Sequence, residues 1–418
     1  MKILLSAYAC EPNKGSEPGV GWNWALALKR RGYDVHVITR SNNQSPIERA
    51  CTRQEPRLTF HYYDLPRWLR FWKYWPGGIY LYYLLWQIGA SKLAKRLHSK
   101  ERFDCVQHIT FVSYRQPSFM GKLGIPFIFG PVGGGETMPA QFRKSLPFLG
   151  RLAESLREMG NWMVAFDPLM RRTFARAEMI ACTTEETMAA IPARFRNKCI
   201  VQRAIGIDKP DVSSDPDVKR GSPSARPQFL FVGRLIYWKG LHLVFRALER
   251  VKLEIQDVNL CVIGEGGDHR WLKQIASRSH VADMVEWIPW RPHDEMGLEY
   301  RNSLGFIFPS LHDSGGMVVL EALAAGLPVI CLDLGGPGSI VNSSCGFSSR
   351  VGQKTEDEII EELASAILRL AKDEELRCHL ARGALERVRE LTWDEAVHAL
   401  YSKTLITKQI IGSIPINT

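Results

Sequence analysis

The chain has 418 residues, 45% apolar and 23% charged, with a formal net charge of +10. That balance excludes a disordered or collagen-like chain and allows two or three domains with full cores. Nine dispersed cysteines without a C-x-x-C spacing argue against a disulfide framework or zinc site, and for a reducing compartment.

The opening M-K-I-L-L-S-A-Y-A-C holds an apolar run too short for a signal peptide, so a first strand is expected at 2–8. Further strands are expected at 34–39, 58–63, 103–109, 126–130 and 178–183, with helices at 20–31 and 81–98. The longest apolar run, 79–90, is too short to span a bilayer. Residues 208–227 are rich in Pro, Ser and charge and read as a linker. The D-P-D at 215–217 falls inside it and reads as solvated loop, not as a metal motif. Strands follow at 228–232, 259–263, 284–287, 305–308 and 328–332, and helices at 241–253, 269–279 and 318–325. Amphipathic helices at 356–370 and 393–406 close the chain. The alternation predicts an α/β protein with two Rossmann-like, doubly wound domains, 1–207 and 228–390. Residues 391–418 are expected to form a helix that packs back on the first domain. The strand carboxyl ends of both domains would face a central cleft, the usual ligand position in such sheets.

Two motifs of the second half fit one chemistry. F-V-G-R-L-I-Y-W-K-G sets Gly233, Arg234 and Lys239 after a strand. A planar guanidinium and an ammonium point charge suit a diphosphate. H-D-S-G-G-M-V-V-L-E sets Asp313 and Glu321 eight residues apart around Gly315 and Gly316. Its glycines let backbone approach a ligand, and the following helix start favours an anion. The two carboxylates suit sugar hydroxyls, with Glu321 placed for a ribose. Together the motifs read as a site for a nucleotide-activated sugar. The plainer alternatives are solvated surface cations and a glutamate that complements a helix dipole.

G-S-E-P-G-V-G-W-N-W, with Gly15, Glu17 and Gly19, departs from the dinucleotide fingerprint and reads as a mobile loop roofing the cleft. G-P-V-G-G-G-E, with Gly133, Gly134 and Gly135, reads as a sugar or acceptor contact rather than a plain turn. His108, at a strand's carboxyl end, either hydrogen-bonds substrate or is a satisfied core histidine. Residues 66–100 hold nine aromatics and seven cations with no acid. Such a segment suits an anionic membrane or a lipid-linked acceptor, a core helix with a basic side, or single-stranded nucleic acid. Residues 141–176 add seven cations against three acids.

With these residues in place, the chain resembles retaining glycosyltransferases of the GT-B fold, in the large family 4 group. The likeness covers nearly the whole chain and includes the C-terminal T-W-D-E-A-V helix. It implies that Arg234 and Lys239 bind the diphosphate of a UDP-, GDP- or ADP-sugar, and that Glu321 binds its ribose. Asp313 and the backbone from Gly315 through Met317 to Val318 would hold the donor sugar, with Gly233 close by. Ile288 would lie beside the base, and His108 and Gly19 would face sugar and acceptor. The resemblance further implies hexosyl transfer to a glycan or lipid-linked acceptor without metal or cofactor, as in polysaccharide or glycolipid assembly. Asp313 stands where the family usually has Glu, and Gln107 where it often has His. A cytoplasmic location is expected, with peripheral contact to the inner face of the membrane. Rival readings are an epimerase or hydrolase of the same fold, and a basic nucleic-acid-binding protein. The concentration of charge in one aromatic segment counts against the last.

Overall fold

The computed structural model describes residues 1–51, 56–75, 77–111, 113–208, 226–292 and 295–402. By internal contacts the chain divides into two units. The first comprises Met1–Gly135, Met159–Gly206 and Trp393–Thr418; the second comprises Glu136–Glu158 and Ile207–Thr392.

The first unit carries β1 (Lys2–Ser6), β2 (Asp34–Arg40), β3 (Leu58–Tyr63), β4 (Cys105–His108), β5 (Phe127–Val132), β6 (Met179–Cys182) and β7 (Cys199–Val201). They form a parallel sheet in the order β3-β2-β1-β4-β5-β6-β7. The second unit carries β8 (Gln228–Val232), β9 (Asn259–Ile263), β10 (Val285–Ile288), β11 (Gly305–Phe308), β12 (Val329–Leu332) and β13 (Gly346–Ser349). Its parallel sheet has the order β10-β9-β8-β11-β12-β13. Both are doubly wound Rossmann-like sheets whose strand order reverses at β1/β4 and at β8/β11. Loops leaving the carboxyl ends of these strands diverge and leave room for a ligand.

The strands read as short apolar runs because helices cover both faces of each sheet. Strands β4, β5, β6, β11 and β12 are buried throughout. In the first unit Tyr82, Tyr83 and Trp86 join the core beneath the sheet. The helix Trp393–Ser402 packs in that unit, where Arg30 meets Asp394 at 3.0 Å and Tyr401 donates to Gln107 at 2.7 Å.

Several elements escape the sequence reading. Strand β7 has three half-buried residues, too few to show a period, and β13 is G-F-S-S. The helix Pro168–Arg176 carries a start signal: Asp167 accepts from the amides of Leu169 and Met170, and Pro168 stands at the first helical position. The helices Phe148–Met163 and Glu374–Arg389 also lie outside the expected elements. Most of the linker, including D-P-D at 215–217, lies outside the described residues, as does the end of the 393–406 helix.

The glycine-rich stretch after β1 corrects an expectation. The roofing loop is instead the start of the helix Ser16–Arg30, with Gly15 as its N-cap residue and Glu17 in its first turn. Gly19 lies inside that helix, where a Cβ would stand 2.0 Å from the Lys14 carbonyl oxygen. Close packing of the incoming chain on the helix therefore accounts for the glycine.

Candidate functional site

In the second unit the loops after β8 and β11 emerge side by side at the strand-order reversal. The first runs from Gly233 through Arg234 to the 3-10 turn Tyr237–Lys239, and the helix Leu241–Val251 follows. The second holds His312, Asp313 and Ser314 and feeds the helix Met317–Ala324. Two hydrogen bonds tie them, since the Trp238 carbonyl accepts from the Leu311 amide at 2.8 Å and the Ser310 hydroxyl at 3.2 Å. An ion pair between Lys239 Nζ and Asp313 Oδ2 also joins the two loops.

Asp313 is partly buried, and burial opposes its ionisation. The Lys239 charge and hydrogen bond, with the Gly315 amide at 3.1 Å, outweigh that and hold its pKa below the ordinary aspartate value. Its backbone carbonyl accepts from the Gly336 amide at 2.7 Å, so the residue is fixed at both ends. Lys239 Nζ also lies 4.8 Å from the Phe308 ring centroid. Arg234 is exposed, with its guanidinium carbon 5.9 Å from the Trp238 ring centroid. The loop after β8 thus carries an exposed guanidinium and a braced ammonium, two cations of different geometry.

Gly316 caps the helix Met317–Ala324 with φ +88°, a conformation that strains residues bearing a Cβ. The first-turn N–H groups of that helix, Met317 and Val318 among them, precede any intrahelical acceptor and suit an anion. Glu321 follows one turn later and accepts from Tyr300 Oη at 3.1 Å. Burial, with the Glu321 charge, raises the Tyr300 pKa well above its ordinary value, so Tyr300 remains a donor to the carboxylate. Ile288 ends β10, and its carbonyl accepts from the Gly264 amide at 3.1 Å at the end of β9.

Sequence reasoning missed a layer behind these residues. Glu154, from the helix Phe148–Met163, is 1% exposed. One of its oxygens accepts from Tyr237 Oη at 2.8 Å and meets His312 Nε2 at 2.9 Å. Each partner lies close in sequence to one member of the Lys239–Asp313 pair. His312 further stacks on Trp238, centroids 5.4 Å apart. Glu136, the last residue of G-P-V-G-G-G-E, is buried and accepts from Ser314 Oγ at 2.9 Å. Arg157 donates to the Glu136 carbonyl at 3.1 Å. No sequence spacing announces the contacts of the Glu154 and Glu136 carboxylates with Tyr237, His312 and Ser314, which join residues 83 to 178 positions apart.

The first unit holds the other expected residues. His108 is 1% exposed, with Nε2 at 3.2 Å from Tyr83 Oη, and burial lowers its pKa to about 4. It lies at the end of β4, which is buried on both faces at the strand-order reversal. Gln107 beside it accepts from Trp24 Nε1 at 3.1 Å and donates to the Gly130 carbonyl at 2.8 Å. Gly133, Gly134 and Gly135 follow β5, where the Gly133 carbonyl accepts from the Tyr114 amide at 3.0 Å and the Gly135 amide donates to Thr187 Oγ1 at 3.1 Å. The 66–100 segment divides: Tyr82, Tyr83 and Trp86 are core, whereas Trp68, Phe71, Trp75 and Tyr80 are exposed.

Known proteins share both the fold and this sequence region. Residues 215–387 match the family Glycosyl transferases group 1. The chain is similar to glycogen synthase of Mycobacterium tuberculosis, 26% identical over 200 residues that cover 48% of this chain and 47% of the relative. It thus spans about half the length of that curated relative. Among solved structures, sucrose-phosphate synthase from Thermosynechococcus elongatus superposes with a TM-score of 0.62 at 16% identity, covering 99% of both chains. Anabaena HepE in complex with UDP and glucose superposes with a TM-score of 0.59 at 15% identity, covering 97% of this chain and 100% of that one. These likenesses establish the GT-B fold, two Rossmann-like α/β domains.

Proposed function

We propose that this protein is a glycosyltransferase that moves a hexosyl group from a nucleoside diphosphate sugar to a glycan or lipid-linked acceptor. The observation that carries the reading is the Lys239–Asp313 ion pair across the ends of β8 and β11, with Arg234 exposed beside it and a helix start following. The family match over residues 215–387 covers Arg234, Lys239, Asp313 and the helix start. The UDP and glucose in the HepE structure are consistent with a nucleotide-sugar donor.

In this reading Arg234, Lys239 and the amides at the Met317–Ala324 helix start hold the diphosphate. As the glycosidic bond breaks, negative charge accumulates on the leaving diphosphate, and these fixed donors stabilise it without reorganising. Asp313 gives up part of its contact with Lys239 to the ligand and accepts from donor-sugar hydroxyls. Glu321, oriented by Tyr300, accepts from the ribose, and Ile288 lies at the base. The residues present supply cations for the diphosphate without a metal ion. Among the described residues no carboxylate stands out as a nucleophile, and the reading includes no covalent sugar–enzyme intermediate.

A screen of labelled UDP-, GDP- and ADP-hexoses with lipid extract tests the reading. The expected result is acceptor-dependent release of one nucleoside diphosphate and a product of unchanged anomeric configuration. Free sugar released without acceptor would instead identify a hydrolase. The exposed Trp68, Phe71, Trp75 and Tyr80, among the seven cations of 66–100, fit peripheral contact with an anionic membrane. Among the described residues no helix is long and apolar enough to cross one.

A further inference from the structure

The helix Phe148–Met163 is amphipathic in the inverted sense. Its polar and small side faces the protein: Gly150 lies against the Tyr237 ring, and Glu154 is buried on Tyr237 and His312. Its apolar side faces solvent. Leu149, Leu152, Leu156, Met159 and Met163 recur at steps of three and four residues, and all are exposed, Leu149 by 74%. That spacing lines them along one face of the helix. Phe148 and Trp162 border the row, 71% and 67% exposed, and Phe166 extends it past the helix end. Single exposed hydrophobes need no explanation, but a continuous row of them marks an interaction surface.

We infer that this face docks on an anionic lipid bilayer, with the helix lying in the plane of the interface. Charge selects the occupant. Lys144 is exposed just before the helix and Arg151 in its first turn. The three acids of 141–176 do not offset them: Glu154 is buried, Glu158 pairs with Arg143, and Asp167 caps the next helix. Aromatic rings and aliphatic side chains edged by cations suit the headgroup boundary. A second copy of the helix fits less well. Were the row a coiled-coil seam, the flanking positions would be Ala153, Gly160, Ser155 and Trp162, which offer no charge pairs to set a partner. The inference goes beyond sugar transfer and stands without it, because docking is measured with neither donor nor acceptor.

The test uses the full chain and vesicles of phosphatidylglycerol and phosphatidylcholine in equal parts, beside vesicles of phosphatidylcholine alone. Wild type should sediment with the anionic vesicles at low salt, bind the neutral ones weakly and be released by high salt. Replacing Leu152, Leu156 and Met159 together by Ser should lower anionic-vesicle binding at least about tenfold, from the apolar area withdrawn. The melting temperature should hold, since the three side chains are exposed. A measurement on wild type alone guards against a misfolded variant: photoactivatable acyl chains in the anionic vesicles should cross-link within residues 148–166. Failure to sediment, cross-links confined to other residues such as 66–100, or a concentration-dependent dimer abolished by the triple change would each overturn the inference.

Discussion

Lys239 and Asp313 neutralise each other across the ends of two neighbouring strands, while Arg234 stands exposed beside them. Arg234→Ala and Lys239→Ala should each lower turnover by roughly 100- to 1000-fold, about 3–4 kcal/mol of lost charge stabilisation. Their melting curves should stay close to wild type for Arg234→Ala; near-normal turnover in both would remove them from the site. Glu321→Ala should weaken binding of the cognate nucleoside diphosphate in calorimetry. Tyr300→Phe should do so less, because it removes only the group that orients the carboxylate. Equal affinity in wild type and Glu321→Ala would make that glutamate structural. Glu154 gives a pH signature. Burial opposes its charge, but hydrogen bonds from His312 and Tyr237 and the nearby Arg157 charge hold its pKa below the ordinary glutamate value. A depressed carboxylate pKa contributes stability that is full above the unfolded value and lost as pH falls through the folded one. Glu154→Gln should therefore cost about 1–3 kcal/mol at neutral pH and flatten the loss of stability on acidification. An acid-unfolding curve with unchanged slope would show that the group does not titrate in this way.

Packing at the level of elements accounts for Gly19 and for one helix that the sequence pattern does not show. Gly19 sits in the helix Ser16–Arg30 beneath the Lys14 carbonyl, and an added Cβ would require backbone to move. Gly19→Ala should lower the melting temperature, at a cost of about 1–3 kcal/mol for overpacking. A changed KM with an unaltered melting curve would return Gly19 to a ligand-contacting role. The helix Pro168–Arg176 depends on Asp167, which accepts from two first-turn amides. Asp167→Ala should destabilise by about 1 kcal/mol, read by denaturant unfolding. Inside the first unit the aromatic segment after β3 is neither wholly core nor wholly surface. Its helix, Gly78–Glu101, turns Tyr82, Tyr83 and Trp86 inward, and the preceding 3-10 turns leave Trp68 and Trp75 outside.

For the whole molecule, charge neutralisation by side chains and a helix start predicts that transfer continues in EDTA. Loss of activity restored by magnesium or manganese would contradict that expectation. The net charge of +10 gathers largely in 66–100 and, less so, in 141–176. Each stretch also holds exposed aromatic side chains, Trp68 and Trp75 in one and Trp162 and Phe166 in the other.

The amino-acid sequence by itself determined the two-sheet α/β architecture. Strands buried on both faces are short apolar runs, and the intervening helices carry a 3.6-residue period, so both patterns are local. It also singled out Arg234, Lys239, Asp313 and Glu321 as candidates, because each stands at a fixed offset from a strand end or a glycine turn. His108 shows the limit of such offsets. A strand's carboxyl end suggests a ligand contact, but which way the imidazole points depends on the neighbouring strands and on Tyr83, 25 residues upstream. The contacts of the Glu154 and Glu136 carboxylates with Tyr237, His312 and Ser314 were decided only by tertiary structure, because chain folding brings these partners in over 83 to 178 residues. The outward turn of the 148–163 helix belongs there too: its periodicity marks an apolar face, and only the inward anchoring of Gly150 and Glu154 fixes that this face meets solvent.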